Sequence, residues 1–223
     1  MTTTASIPDV RTPFWQRSRW RIVDIIVASV VGVAVGLVYF GWDQIYLPVT
    51  APLEAALPGL QSISYGIWLV GGVLGALIIR KPGAAIFVEM LAATVEALLG
   101  AKWGLLTLEG GLVQGLGAEL VFLVLLYANW RAYAAVLAGA AAGLAMAIND
   151  LTLWYVGSTQ SFAITYAICA IISGAGIAGL GSWLLVRAIA RTGALSRFAS
   201  GRSEAGRSQA GHSEADRSAT SNA

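Results

Sequence analysis

Apolar residues fall in six long runs along the chain, at approximately 22–42, 63–80, 84–101, 108–127, 132–150 and 163–187, with polar and charged residues gathered in the gaps. A helix needs ~20 apolar residues to cross a hydrocarbon core, so the pattern predicts an all-α membrane protein with six transmembrane helices. Glu89 and Glu96 break the third run, and the fifth is rich in Ala and Gly, so these two carry the weaker hydropathy signal. The gap at 43–62 holds Pro48, Pro52, Pro58 and Gly59, which predicts an ordered cover or a short interfacial helix rather than a tight turn.

Composition sharpens this picture. The 223 residues are 57% hydrophobic and 12% charged, against roughly a quarter charged in soluble domains, so each charge inside an apolar run is informative. A net charge of +2 points to no particular partner, and no basic stretch with interleaved aromatics supports a nucleic-acid surface. The single His212 lies in a polar tail and the single Cys169 in an apolar run, which excludes metal-ligand spacing and an internal disulfide. No phosphate-cradling Gly-rich loop followed by Lys and Ser or Thr is present, so the chain is not expected to hydrolyse nucleotide. The Ser, His and Asp set of a hydrolase is missing as well, and neither an enzyme nor a resident cofactor is indicated. The N-terminus lacks a short apolar core followed by a small-residue cleavage site, so the first run is expected to stay in the bilayer.

Lys and Arg set the orientation. Arg17, Arg19 and Arg21 precede the first run, Arg80 and Lys81 fill the second gap, Arg131 the fourth, and Arg187, Arg191 and Arg197 follow the last. The alternate gaps hold Lys102 against Asp43, Glu54, Glu109 and Asp150, so both termini are expected in the cytoplasm. Residues 1–20 then form a cytoplasmic segment, 21–190 the membrane domain, and 191–223 a cytoplasmic tail. The tail repeats "GRSEA GRSQA GHSEA" without aromatics and is expected to be disordered.

A carboxylate in hydrocarbon costs about 2.5–3.5 kcal/mol on insertion scales, so the intramembrane acids need a partner or a use. Glu89 and Glu96 are seven apart and share a helical face, with Glu96 toward the outer end and Glu89 two turns deeper. Glu119 lies near mid-depth on the fourth run, below Gln114. Tyr65, Trp68, Trp103 and Asn149 sit near the outer ends of their runs. These depths agree with an outward-facing polar and aromatic pocket in a compact bundle. As packing devices, Glu89 or Glu119 would instead pair with Arg80, Lys81 or a backbone group, and buried acids can also relay protons. Small residues add a second signal: Ala28, Gly32 and Gly36, spaced four apart, make a stripe where another helix can approach closely, as do Gly71, Gly72 and Gly75, and Gly174, Gly176, Gly179 and Gly181.

The stretch "GALIIRKPGAAIFVEMLAATVEALLGAKWG" (75–104), with "GGLVQGLGAELVF" (110–122), resembles the YkoE family of membrane substrate-binding subunits of energy-coupling factor transporters. The resemblance covers about 20–190. It implies a bacterial plasma-membrane protein that binds thiamine or its hydroxymethylpyrimidine precursor at the outer side. Its implied partners are a transmembrane coupling subunit and two cytoplasmic ATPase domains. It further implies that Ala28, Gly32 and Gly36 dock the coupling subunit. For such a ligand, Glu96 and Gln114 would read the pyrimidine edge, Trp68 and Trp103 would stack, Tyr65 and Asn149 would assist, and Glu89 and Glu119 would lie beneath. An autonomous proton-coupled carrier of a small polar or cationic solute is the alternative reading of the same acids.

Overall fold

The computed structural model describes residues 19–192, whose regular structure is all helical, with no strand among them. All but the first two residues of the expected tail at 191–223, and most of the segment at 1–20, lie outside the described residues. Among the described residues five helices are long and apolar enough to cross a membrane: α1 (Ile22–Ala56), α2 (Leu60–Ile79), α4 (Leu106–Val124), α5 (Ala132–Leu153) and α6 (Gln160–Arg191). Between α2 and α4 lies α3 (Ala84–Leu98), the helix with the two glutamates. Its 15 residues rise about 22 Å, less than a full hydrocarbon core of about 30 Å.

The gap expected at 43–62 is largely helix, because α1 runs on through Pro48 and Pro52 to Ala56. Each proline removes an amide donor, but its fixed φ is helical and both rings sit on the exposed face, so the freed carbonyls are not sealed in the core. The inward face of this extension buries Asp43 and Thr50. Asp43 therefore belongs to a helix interior rather than to a loop, and its backbone carbonyl accepts a bond from Lys102 Nζ at 2.5 Å.

Two helices depart from α geometry, both where the core demands close backbone approach. The first half of α2, Leu60–Leu69, is a 3₁₀ helix tied to α6 by Ser62 Oγ donating to the Tyr166 carbonyl (2.8 Å) and Gly66 N–H donating to Ser173 Oγ (2.8 Å). A Cβ on Gly66 would stand 2.4 Å from the Ser173 carbonyl oxygen. Within α6, Gly174–Gly181 is a π-helical stretch pressed on α5, where Gly139 and Gly174 leave no room for a side chain. Irregular turns of this kind survive in a membrane protein only when packed within the protein.

The small-residue stripes line internal seams. Ala28 is fully buried, a Cβ on Gly32 would meet Leu91, and one on Gly36 would meet the Ala92 carbonyl and Val95, so the α1 stripe packs on α3. Gly71, Gly72 and Gly75 face Tyr39, Glu89 and Val88. In this structure the α1 stripe expected to dock a partner is committed to the α1–α3 contact. The outward face of α1 carries Ile26, Val30, Val33, Leu37 and Val38 instead.

The end of the bundle nearest the described termini is held by polar ties. Lys81 pairs with Asp24 and also donates to the Arg19 carbonyl, Trp20 Nε1 donates to the Pro82 carbonyl at 2.9 Å, and the Arg80 guanidinium lies 5.8 Å from the Trp130 ring centre. Arg80 ends α2 in the left-handed region at φ 57°, and Gly83 at φ 82° starts α3. That sharp turn is what lets α3 return against α2 so soon.

Candidate functional site

At the opposite end of the bundle, all six helices contribute to one cavity of about 330 Å³. Its size lies at the lower end of small-molecule pockets. Four carboxylates line it, Glu89, Glu96, Glu109 and Asp150, together with Gln114, Asn149 and Thr107 and with seven aromatic rings besides Tyr39. No Lys, Arg or His is among the lining residues.

Trp68 and Tyr65 reach the cavity side by side because 3₁₀ geometry eclipses residues three apart, and their rings stand 5.4 Å between centres, edge to face. Trp103 adds a ring 5.4 Å from Trp68, and Tyr46 one at 5.2 Å. Within this cluster Glu96, only 3% exposed, accepts the Trp68 indole N–H at 3.0 Å. That bond fixes one carboxylate oxygen, and the buried Asp43 carboxyl of α1 stands against the same group. Lys102 closes the near side, with its ammonium 4.7 Å from the Tyr46 ring centre.

Glu89 does something different. Its carboxylate accepts the Tyr39 hydroxyl (2.9 Å) and the Gly72 amide (2.5 Å), while the Gly71 amide donates to Tyr39 Oη (2.8 Å). Here the 3₁₀ half of α2 gives way to its α half at Leu69, and the freed amides of the new helix start are capped by side chains from α1 and α3. A carboxylate at a helix N-terminus satisfies orphan donors and meets the positive end of the helix dipole. Glu89 is both the floor of the cavity and the cap that stabilises the break in α2.

Of the site residues read from sequence, Glu96, Gln114, Trp68, Trp103, Tyr65, Asn149 and Glu89 are brought together in this cavity, and Glu119 is not among its lining residues. Glu119 lies toward the opposite end and receives the amides of Gly83 (2.7 Å) and Ala85 (2.9 Å) and the Tyr127 hydroxyl (2.7 Å). It caps the start of α3. Glu119→Ala is expected to leave these donors unpaired and to cost roughly 1–2 kcal/mol, seen as a melting point lowered by several degrees in detergent. A melting curve superimposable on that of the parent would show that the cap contributes nothing.

Tyr39, Tyr46, Tyr155, Tyr166, Glu109 and Asp150 also line the cavity but escaped the sequence reading of the site. The tyrosines sit in or beside apolar runs and carry no depth signal of their own. Glu109 and Asp150 were legible as outer-end acids at the depth of the pocket, though not as residues of the site itself. The structure places them there by bonding Tyr166 Oη to Asp150 Oδ2 at 2.5 Å and Asn149 Nδ2 to Glu109 Oε2 at 3.1 Å.

A helical membrane bundle with an acidic, aromatic, solute-sized cavity defines a solute-binding membrane component. Three likenesses to known proteins narrow the class. Residues 23–145 match the family described as the ABC-type cobalt transport system, permease component. The putative HMP/thiamine permease protein YkoE of Bacillus subtilis (strain 168) is 35% identical over 187 residues, covering 82% of this chain and 91% of that protein. A crystal structure of an S-component of an ECF transporter superimposes with a TM-score of 0.80 at 31% identity, covering 88% of this chain and 98% of the other. The chain belongs to the YkoE family of energy-coupling factor S-components. It is a multi-pass cell-membrane protein of transport, not an enzyme.

Proposed function

We propose that this chain is the substrate-binding subunit of an energy-coupling factor importer for thiamine or hydroxymethylpyrimidine. The observation that carries the reading is the cavity itself, in which the Glu96 carboxylate stands among Trp68, Trp103, Tyr46 and Tyr65. An aminopyrimidine presents a flat face and an edge of donors and acceptors; aromatic rings match the first, and a carboxylate with the Gln114 amide matches the second. The quaternary thiazolium of thiamine is further favoured by aromatic faces and by four carboxylates without a lining base. Among the described residues no group of three or more His, Cys, Asp or Glu side chains is arranged to hold a metal ion, so the lining favours an organic solute over a bare cation.

Energy would come from elsewhere. The sequence has no nucleotide-binding loop, and the S-component likeness supports partner subunits of the energy-coupling factor type, which we read as a transmembrane coupling subunit and two cytoplasmic ATPase domains. With both termini cytoplasmic, as the Lys and Arg bias requires, the cavity faces outward. Mass spectrometry of the purified protein should find thiamine or hydroxymethylpyrimidine retained, and stripped protein should rebind one of them with a sub-micromolar Kd. Uptake by this chain alone in liposomes, driven by a pH gradient without ATPase partners, would replace this reading with the proton-coupled carrier.

A further inference from the structure

The cavity has two chemically distinct ends built on different helices. One is the Glu96–Trp68 end, carried by α2 and α3 with Trp103 beside it. The other is carried by α4, α5 and α6, where Asp150 is held by the fully buried Tyr166 and the Glu109–Asn149 pair stands on the same side. Tyr65 bridges the two, with ring centres 5.4 Å from Trp68 and 6.0 Å from Tyr166. A single small ring on Glu96 leaves the Asp150 end unused, whereas a ligand with a second, positively charged ring reaches along Tyr65 toward it.

We propose that Asp150, oriented by Tyr166 and supported by Glu109, is the specificity determinant that selects a two-ring cation over its neutral one-ring precursor. This inference rests on the functional reading above. Tyr166 acts as a positioning residue: its hydroxyl donates to Oδ2 of the Asp150 carboxylate, and both residues line the cavity. The aromatic lining stabilises the charge on its way between the ends, and no Lys, Arg or His is among the lining residues.

The test uses the full chain, stripped of ligand and titrated calorimetrically with thiamine and with hydroxymethylpyrimidine. Asp150→Asn is expected to shift the ratio of the two dissociation constants at least tenfold toward the pyrimidine. Glu96→Gln should weaken both ligands and move that ratio less than threefold. Should Asp150→Asn not fold, Glu109→Gln decides, with a shift of at least fivefold in the same direction expected. A smaller shift in the folded variant, or an equal shift from Glu96→Gln, overturns the assignment while leaving the transport reading in place. If the parent protein binds neither compound, the transport reading falls and the assignment falls with it.

Discussion

Glu96→Gln is expected to weaken binding of both thiamine and hydroxymethylpyrimidine at least tenfold, equivalent to ~1.4 kcal/mol, with the fold intact. Glutamine keeps the volume of the side chain, and its carbonyl can still accept the Trp68 indole N–H that now bonds Glu96 at 3.0 Å. What it loses is the carboxyl group's second oxygen, which becomes an amide that can only donate, in a cavity where Glu96 itself is 3% exposed. A buried ligand group left without its hydrogen-bond partner costs about 1–3 kcal/mol, so most of the expected loss comes from the ligand contact rather than from the protein. Calorimetric titration reads the change directly. A Kd within threefold of the parent, in protein of unchanged melting point, would take Glu96 out of the ligand's reach.

Gly139→Ala is expected to be the most damaging single-methyl change in the bundle. A Cβ there would stand 2.1 Å from the Gly174 carbonyl oxygen and 2.7 Å from the Gly179 amide nitrogen. Both neighbours are backbone atoms of the π-helical stretch, so no rotamer change can make room and the α5–α6 seam must part. Overpacking of this kind costs typically about 1–3 kcal/mol, and a main-chain clash belongs at the upper end. Gly41→Ala supplies the contrast, since nothing lies within 4 Å of a Cβ at that position of α1. That substitution should be neutral or slightly stabilising, because Gly inside a helix costs roughly 0.5–1 kcal/mol relative to Ala. Equal melting points for the two variants would contradict the packing described for α5 and α6.

The helices were legible in the sequence because hydrocarbon imposes one requirement on every span, and apolar runs of ~20 residues announce it. The third helix was legible for the opposite reason: two carboxylates in an apolar run demand partners. The extension of α1 was legible only in part, since prolines at 48 and 52 read as an ordered cover or a separate interfacial helix, and only the exposure of their rings explains why α1 itself runs on through them. The irregular stretches of α2 and α6 were hidden too, because glycine contacts with neighbouring helices set them rather than local preference. Depth along a helix brought Glu96, Gln114 and Trp68 to one level. It did not reveal which neighbour a side chain would meet, and so Glu119 was read with the cavity although it caps the helix that Glu89 and Glu96 stand on. Stripes of small residues likewise marked where helices touch without telling an inner seam from an outer face.

Glu96 lies twelve residues from Ala84, the first residue of α3, which at the helical rise is about 18 Å. Under the proposed importer reading, with the start of α3 on the cytoplasmic side, a molecule held on Glu96 would have little more than half of a hydrocarbon core left to cross rather than the whole of one.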